Sequence, residues 1–233
     1  MTAPPTSVTG QPATATAVVP LRDGRTGKTR LAEHLPAAER GRLVVALARH
    51  VVATLLAADG VSRVLVVTAD PAFVTDALDA DPRLEILTQP SAPPGLNAAV
   101  EFGREQVRRR WPGDRLLVIH ADLPALTTAD VAALLAPAAP VTLGPDRAGL
   151  GTNAVLLRPG TDAFTFAFGP DSLARHRHEA QSLGSPATLV RRDGTAIDLD
   201  TEADFSALDP FVQERLRAAI AATDLLPRLQ ALP

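Results

Sequence analysis

There is no cysteine among the 233 residues, which excludes disulfides, thiolate zinc sites and cysteine nucleophiles together. Any metal must therefore be held by oxygen or histidine. A basic excess is missing too: the formal net charge is −3. The arginines are spread along the chain instead of gathered into a stripe, so the electrostatic footprint of a nucleic-acid binder is lacking. A small anionic ligand needs only local positive groups and stays open. No apolar run approaches the roughly 18–20 residues that span a bilayer. Residues 1–16 lack the basic start and apolar core of a secretory signal and read as a disordered tail, with cytoplasm as the expected compartment. Lysine is almost absent, Lys28 being the only one.

What is present is 46% hydrophobic residues, enough for one substantial core. The expected organisation is one domain over residues 17–208, with a closing amphipathic helix in residues 209–233. Apolar runs predict strands at 17–21, 61–68, 84–87, 116–122, 140–144, 154–157 and 188–191. Helical periodicity and capping residues predict helices at 37–58, 71–78, 96–110, 128–136, 172–183, 202–207 and 210–229. Strand, helix, strand in that order favours parallel strands, right-handed crossovers and helices on both faces.

Five stretches carry candidate chemistry. The segment V-I-H-A-D-L-P at 118–124 reads as a buried strand delivering Asp122 at its C-terminal end, where open α/β sheets place ligands. Asp122 either holds a hard cation there or caps the next turn. The loop R-D-G-R-T-G-K-T-R at 22–30 follows an apolar run and suits phosphate, because glycines admit backbone N–H groups and Arg22 and Lys28 supply charge. It is not a P-loop: the pattern G-x-x-x-x-G-K-S/T needs glycine where Arg22 stands. Gly95 and Asn97 open a helix and offer groups for a base or ribose, or simply a cap.

The stretch P-D-R-A-G-L-G-T-N at 145–153 runs glycines, Thr152 and Asn153 into a strand, a mixture suited to wrapping a small anion. F-G-P-D-S at 168–172 places Gly169 and Ser172 at a helix N-terminus, another anion position. His176 and His178 are two apart on that helix, which argues against a shared metal, and both read as surface residues. In I-D-L-D at 197–200, extended geometry would turn Asp198 and Asp200 the same way, toward one cation. Asp200 could equally be a helix cap.

Together V-V-P-L-R-D-G-R-T-G-K-T-R-L-A, H-A-D-L-P, P-D-R-A-G-L-G-T-N-A, F-G-P-D-S-L-A-R-H and D-L-D-T resemble, over residues 17–208, a guanylyltransferase family. Its members activate phosphoenolpyruvate or 2-phospho-L-lactate in coenzyme F420 biosynthesis. The resemblance implies a single-domain, Rossmann-like α/β/α sandwich of the nucleotide-diphospho-sugar transferase kind, with a mainly parallel mixed sheet. It implies that the loop 22–30, with Arg22, Gly24, Gly27 and Lys28, wraps the GTP triphosphate; Gly95 and Asn97 join the expected nucleotide site from their place at a helix start, and Lys28 and Asp122 are the expected catalytic residues. Asp122, Asp198 and Asp200 would hold Mg2+, and Thr152, Gly169 and Ser172 the acceptor. The family often has lysine where this chain has Arg22, which keeps the charge but alters the triphosphate contact.

The high-GC character of the composition favours phosphoenolpyruvate, with 2-phospho-L-lactate, a sugar phosphate or molybdopterin as alternative acceptors. A non-catalytic nucleotide binder is the alternative from another class. The product would pass to a deazaflavin transferase; no nucleic acid or membrane partner is expected, and a homodimer is compatible with the reading.

Overall fold

Residues 14–22 and 36–223 are described in a computed structural model; Gly24, Gly27 and Lys28 therefore lie outside the described residues. Short β-branched and leucine-rich runs form a seven-stranded sheet: β1 (Ala15–Pro20), β2 (Val61–Thr68), β3 (Leu84–Thr88), β4 (Arg115–Ile119), β5 (Val141–Pro145), β6 (Thr152–Leu157) and β7 (Thr188–Leu189). The strand order is β3-β2-β1-β4-β6-β5-β7. β1 pairs in parallel with both β2 and β4, whereas β6 runs antiparallel to β4 and β5. This is the mixed, mainly parallel sheet expected.

The helices are α1 (Ala37–Ala57), α2 (Pro71–Ala77), α3 (Leu96–Arg110), α4 (Thr128–Leu135), α5 (Ser172–Ser182), α6 (Asp193–Ala196), α7 (Glu202–Ser206) and α8 (Pro210–Thr223). Val51 and Leu55 of α1, Val74 of α2 and Val131 and Leu134 of α4 fill one face of the sheet. Val100 and Val107 of α3 and Leu173 and Ala180 of α5 fill the other. Strands covered on both faces need no polar alternation, so β4 and β6 are buried along their whole length. α3 sits close to the sheet because Gly103 has no side chain there: a Cβ would lie 2.5 Å from Val18 Cγ1. Outside the sandwich, α8 packs on α1 through Leu43, Leu47 and Leu216.

Three local features depart from the sequence reading. β4 ends at Ile119, three residues before Asp122, and its last bond is His120 N–H to the Asn153 carbonyl, 3.1 Å. Residues 197–200 form no strand; the Asp200 N–H turns back onto the Asp198 carbonyl at 3.1 Å. The alternation argument for Asp198 and Asp200 therefore does not apply. α6, over D-G-T-A, has no counterpart among the predicted helices. The predicted helix over 210–229 is seen to Thr223, and its remainder lies outside the described residues.

Candidate active site

The sheet changes direction of travel at β1: β2 and β3 lie on one side, β4 on the other. Such a switch point leaves a crevice beyond the C-terminal ends of the strands. A cleft of about 740 Å³ opens there, lined by Leu21 and Arg22 after β1, Asp70 after β2, and Gln89, Ser91 and Gly95 before α3. Gly95 takes φ 107°, a left-handed conformation that favours glycine, and its carbonyl accepts from Gln89 Nε2 at 3.1 Å. Arg22 and Gly95 thus share one cleft, as the sequence suggested. Asn97 is not among the residues lining it. Its amide is committed to Phe168 in both directions, accepting from the Phe168 N–H at 2.8 Å and donating to the Phe168 carbonyl at 3.2 Å.

Asp122 follows the next strand, between this cleft and the residues beyond β6. Its backbone carbonyl accepts from Leu199 N–H at 3.0 Å, which brings residues 197–200 alongside. Burial, then the neighbouring charge of Asp122, hold the Asp198 carboxyl above the ordinary carboxylate range; Asp200 adds to this and His120 opposes it. His120 itself keeps Nε2 buried without a hydrogen-bond partner among the described residues. Asp200 is not the cap of α7: Thr201 is, with Asp204 completing a capping box.

Among the described residues no set of three or more His, Asp or Glu side chains is gathered closely enough to hold a metal ion. The three-carboxylate expectation therefore reduces here to Asp122 beside Asp198, with Asp200 adjoining. This donor set fits magnesium: the oxygens are hard, partly desolvated and mutually repelling, and a divalent cation would relieve that repulsion.

Asn153, read from the sequence only as part of an anion-wrapping stretch, braces Asp198 instead. Its buried Nδ2 donates to the Thr195 carbonyl at 2.9 Å and to Asp198 Oδ1 at 3.3 Å. The sequence signal was available, since Asn153 is a buried amide inside an otherwise apolar strand. Asn153→Ala should lower kcat about 10- to 100-fold by releasing Asp198, as loss of groups that orient ligands does. Steady-state kinetics with GTP held saturating would check it; an unchanged kcat would remove Asn153 from the centre.

The three acceptor candidates converge. Thr152 N–H donates to Ser172 Oγ at 2.9 Å, and Ser172 N–H donates to the Gly169 carbonyl at 3.1 Å. Thr152 and Ser172 are each 2% exposed, while Gly169 is exposed at φ 119°. His176 is not a surface residue. It is fully buried, between Phe164 and Phe168, and its ring Nδ1 lies 3.1 Å from Thr152 Oγ1. His178 is exposed, as expected.

Burial and the nearby Arg175 charge lower the His176 pKa to about 4. An unfolded chain takes up a proton there below about 6.5, whereas the folded one does so only near 4. Stability is therefore full above 6.5 and falls as pH drops through that window, by about 3 kcal/mol from this residue at most. Asp198 has the opposite sign, since its raised pKa disfavours the folded state above the ordinary carboxylate value. The contribution of His176 is isolated by comparing variants: thermal melts of His176→Gln should depend less on pH between 7 and 4.5 than those of the parent. Equal slopes would contradict it.

A parallel-rich α/β/α sandwich with a switch-point cleft and a carboxylate pair beside it defines a nucleotidyltransferase fold of the nucleotide-diphospho-sugar transferase kind. Similar solved structures include a nucleotide-diphospho-sugar transferase-like protein of Desulfovibrio desulfuricans G20, with TM-score 0.69 and 15% identity, covering 89% of this chain and 97% of that one. A nucleotidyl transferase from a Methanothermobacter superposes with TM-score 0.60 and 18% identity, covering 88% and 99%. Residues 15–209 match the family model described as guanylyl transferase CofC like, and the chain belongs to that family.

Its relatives include the phosphoenolpyruvate guanylyltransferase of Sphaerobacter thermophilus, 42% identical over 197 residues, or 84% of this chain and 92% of the relative. The protein of that name from Rubrobacter xylanophilus is 40% identical, covering 87% and 98%. The chain is an enzyme of the nucleotidyltransferase class. Among the described residues, no helix is long and apolar enough to cross a membrane.

Proposed function

We propose that this enzyme condenses phosphoenolpyruvate with GTP to give enolpyruvoyl-2-diphospho-5'-guanosine and pyrophosphate, a step in coenzyme F420 biosynthesis. The observation that carries the reading is 42% identity across 84% of the chain to a phosphoenolpyruvate guanylyltransferase that it covers almost whole. The layout of the site agrees with it. GTP lies along the cleft past Arg22 and Gly95, its triphosphate reaching toward Asp122. The acceptor sits beyond β6 against Thr152, Gly169 and Ser172.

An acceptor phosphate oxygen attacks the α-phosphorus of GTP in line. The new P–O bond forms as the bond from the α-phosphorus to the bridging oxygen breaks, and that oxygen leaves with pyrophosphate. The nucleophile is already an anion at neutral pH, so no side-chain base is required. The chain's work is to hold two repelling anions in register and to neutralise charge on the leaving group. Arg22 and Lys28 supply fixed positive charge. Asp122 and Asp198, with Asp200 adjoining, would hold magnesium, which would supply neutralisation at the triphosphate. The product passes to a deazaflavin transferase, and the compartment is the cytoplasm.

The test is pyrophosphate release from GTP and Mg2+ with phosphoenolpyruvate or 2-phospho-L-lactate added separately, against a control without acceptor. A parallel reaction contains a deazaflavin acceptor and its transferase, which draws off an unstable product. Release with phosphoenolpyruvate is expected. Release with 2-phospho-L-lactate alone would reverse the choice of acceptor, and none with either, coupled or not, would overturn the reading.

A further inference from the structure

Residues 164–168, F-T-F-A-F, belong to no sheet ladder. Phe164, Phe166 and Phe168 point into the core. Backbone groups normally paired by a neighbouring strand must therefore find other partners. Side chains from α3 and α5 supply them. Glu179 accepts from Thr165 N–H at 2.9 Å, His176 Nε2 from Ala167 N–H at 2.9 Å, and Asn97 from Phe168 N–H. Arg104 donates to the Phe164 carbonyl.

Of these four groups, His176 alone also reaches Thr152. An N–H donates to Nε2, so that nitrogen carries no proton and the ring's single proton is on Nδ1. Nδ1–H then donates to Thr152 Oγ1, 3.1 Å away. A hydroxyl that accepts on one side keeps its own hydrogen for another partner. The Thr152 O–H is thereby fixed as a donor instead of rotating between roles.

We infer that His176 is a positioning residue for the acceptor: its neutral Nδ1–H ring sets the Thr152 hydroxyl as a donor toward the acceptor anion and pins residues 164–169 beside it. The inference rests on the guanylyltransferase reading, in which Thr152 contacts the acceptor. His176 touches no substrate itself. Its full burial keeps it neutral, which the arrangement requires, because a doubly protonated ring would expel the Ala167 N–H.

Two replacements separate its contacts. His176→Gln can still accept from Ala167 N–H but brings no donor to the Nδ1 position. His176→Asn places an amide N–H near Nδ1. Losing one orienting hydrogen bond in a closed site corresponds to about tenfold. His176→Gln should therefore raise KM for phosphoenolpyruvate about tenfold while KM for GTP stays within about twofold, and His176→Asn should recover most of the loss. In a Thr152→Val background, His176→Gln should add less than about twofold, because the two residues act through one hydroxyl.

Equal losses in Gln and Asn variants, a matching rise in KM for GTP, or multiplicative losses in the double variant would each overturn the inference while leaving the guanylyltransferase reading standing. Absence of pyrophosphate release by the parent with either acceptor would overturn both. Should His176→Gln not fold, ¹⁵N-histidine spectra of the parent decide: phosphoenolpyruvate should shift the His176 Nδ1 resonance and leave that of His50 in place. An unmoved resonance overturns the inference.

Discussion

Asp122→Ala should abolish turnover, lowering pyrophosphate release by about 1,000-fold or more, while the protein still folds. Two observations separate these effects. The contact that ties residues 197–200 to this segment is made by the Asp122 backbone carbonyl, which alanine retains. The carboxylate, by contrast, repels Asp198 across a partly desolvated space. Removing it relieves a like-charge pair, so thermal stability should hold or rise even as activity disappears. That opposition is characteristic of a residue kept for chemistry instead of packing. Asp122→Asn preserves the shape and should be nearly as inactive, because a neutral amide is a poor ligand for a hard cation. The measurement is kcat at saturating GTP, acceptor and Mg2+, paired with a thermal melt. Activity within about tenfold of the parent would refute the metal role.

Gly194→Ala carries the second large effect, this time on stability. α6 is only four residues long, and it is pressed against the start of α4. A Cβ on Gly194 would stand 2.0 Å from Asp130 Oδ2 and 2.9 Å from the Ala125 carbonyl, so neither side can give way easily. Asp130 is buried, accepts from the Thr127 N–H and hydroxyl to close the α4 capping box, and pairs with Arg192 at 2.8 Å. Moving it breaks the cap and leaves a buried charge poorly paired. The expected loss is about 2–4 kcal/mol from overpacking together with the lost cap. Because α6 also supplies the Thr195 carbonyl that anchors Asn153, activity should fall alongside stability. Chemical denaturation would show a lower midpoint with an unchanged slope, and an unaltered midpoint would refute the contact.

The strands and long helices were legible because their burial is one-dimensional information. β2 and α3 were placed at their observed bounds from apolar runs and caps alone. The run into Asp122 was legible in part: the strand was found, but its end was set at Asp122, whereas the ladder stops at Ile119. What failed was anything decided by partners distant in sequence. The run R-H-R-H looks like a solvated helix face, yet Leu173, His176 and Ala180 share one helical stripe, and all three are buried. That stripe was readable. That residues 164–168 would lie over it without joining the sheet was not. The amide partner of Asn97 was hidden for the same reason, as it lies 71 residues away. The alternation applied to 197–200 presumed a strand, and the short backbone bond from Asp200 to Asp198 removes the premise.

The reversed direction of β6 has a consequence for how such enzymes diversify. Parallel strands bring only their C-terminal ends to the cleft, so the nucleotide half draws on β1, β2 and β3. β6 runs the other way and brings its beginning to the same edge, together with the stretch from 145 to 176. On the proposed reading, the acceptor positions Thr152, Gly169 and Ser172 therefore fall in one contiguous stretch, apart from the strands that line the cleft. An engineer seeking a new acceptor could exchange that stretch, provided the replacement keeps the contacts of Phe168 with Asn97 and of Phe164 with Arg104, which tie it to α3.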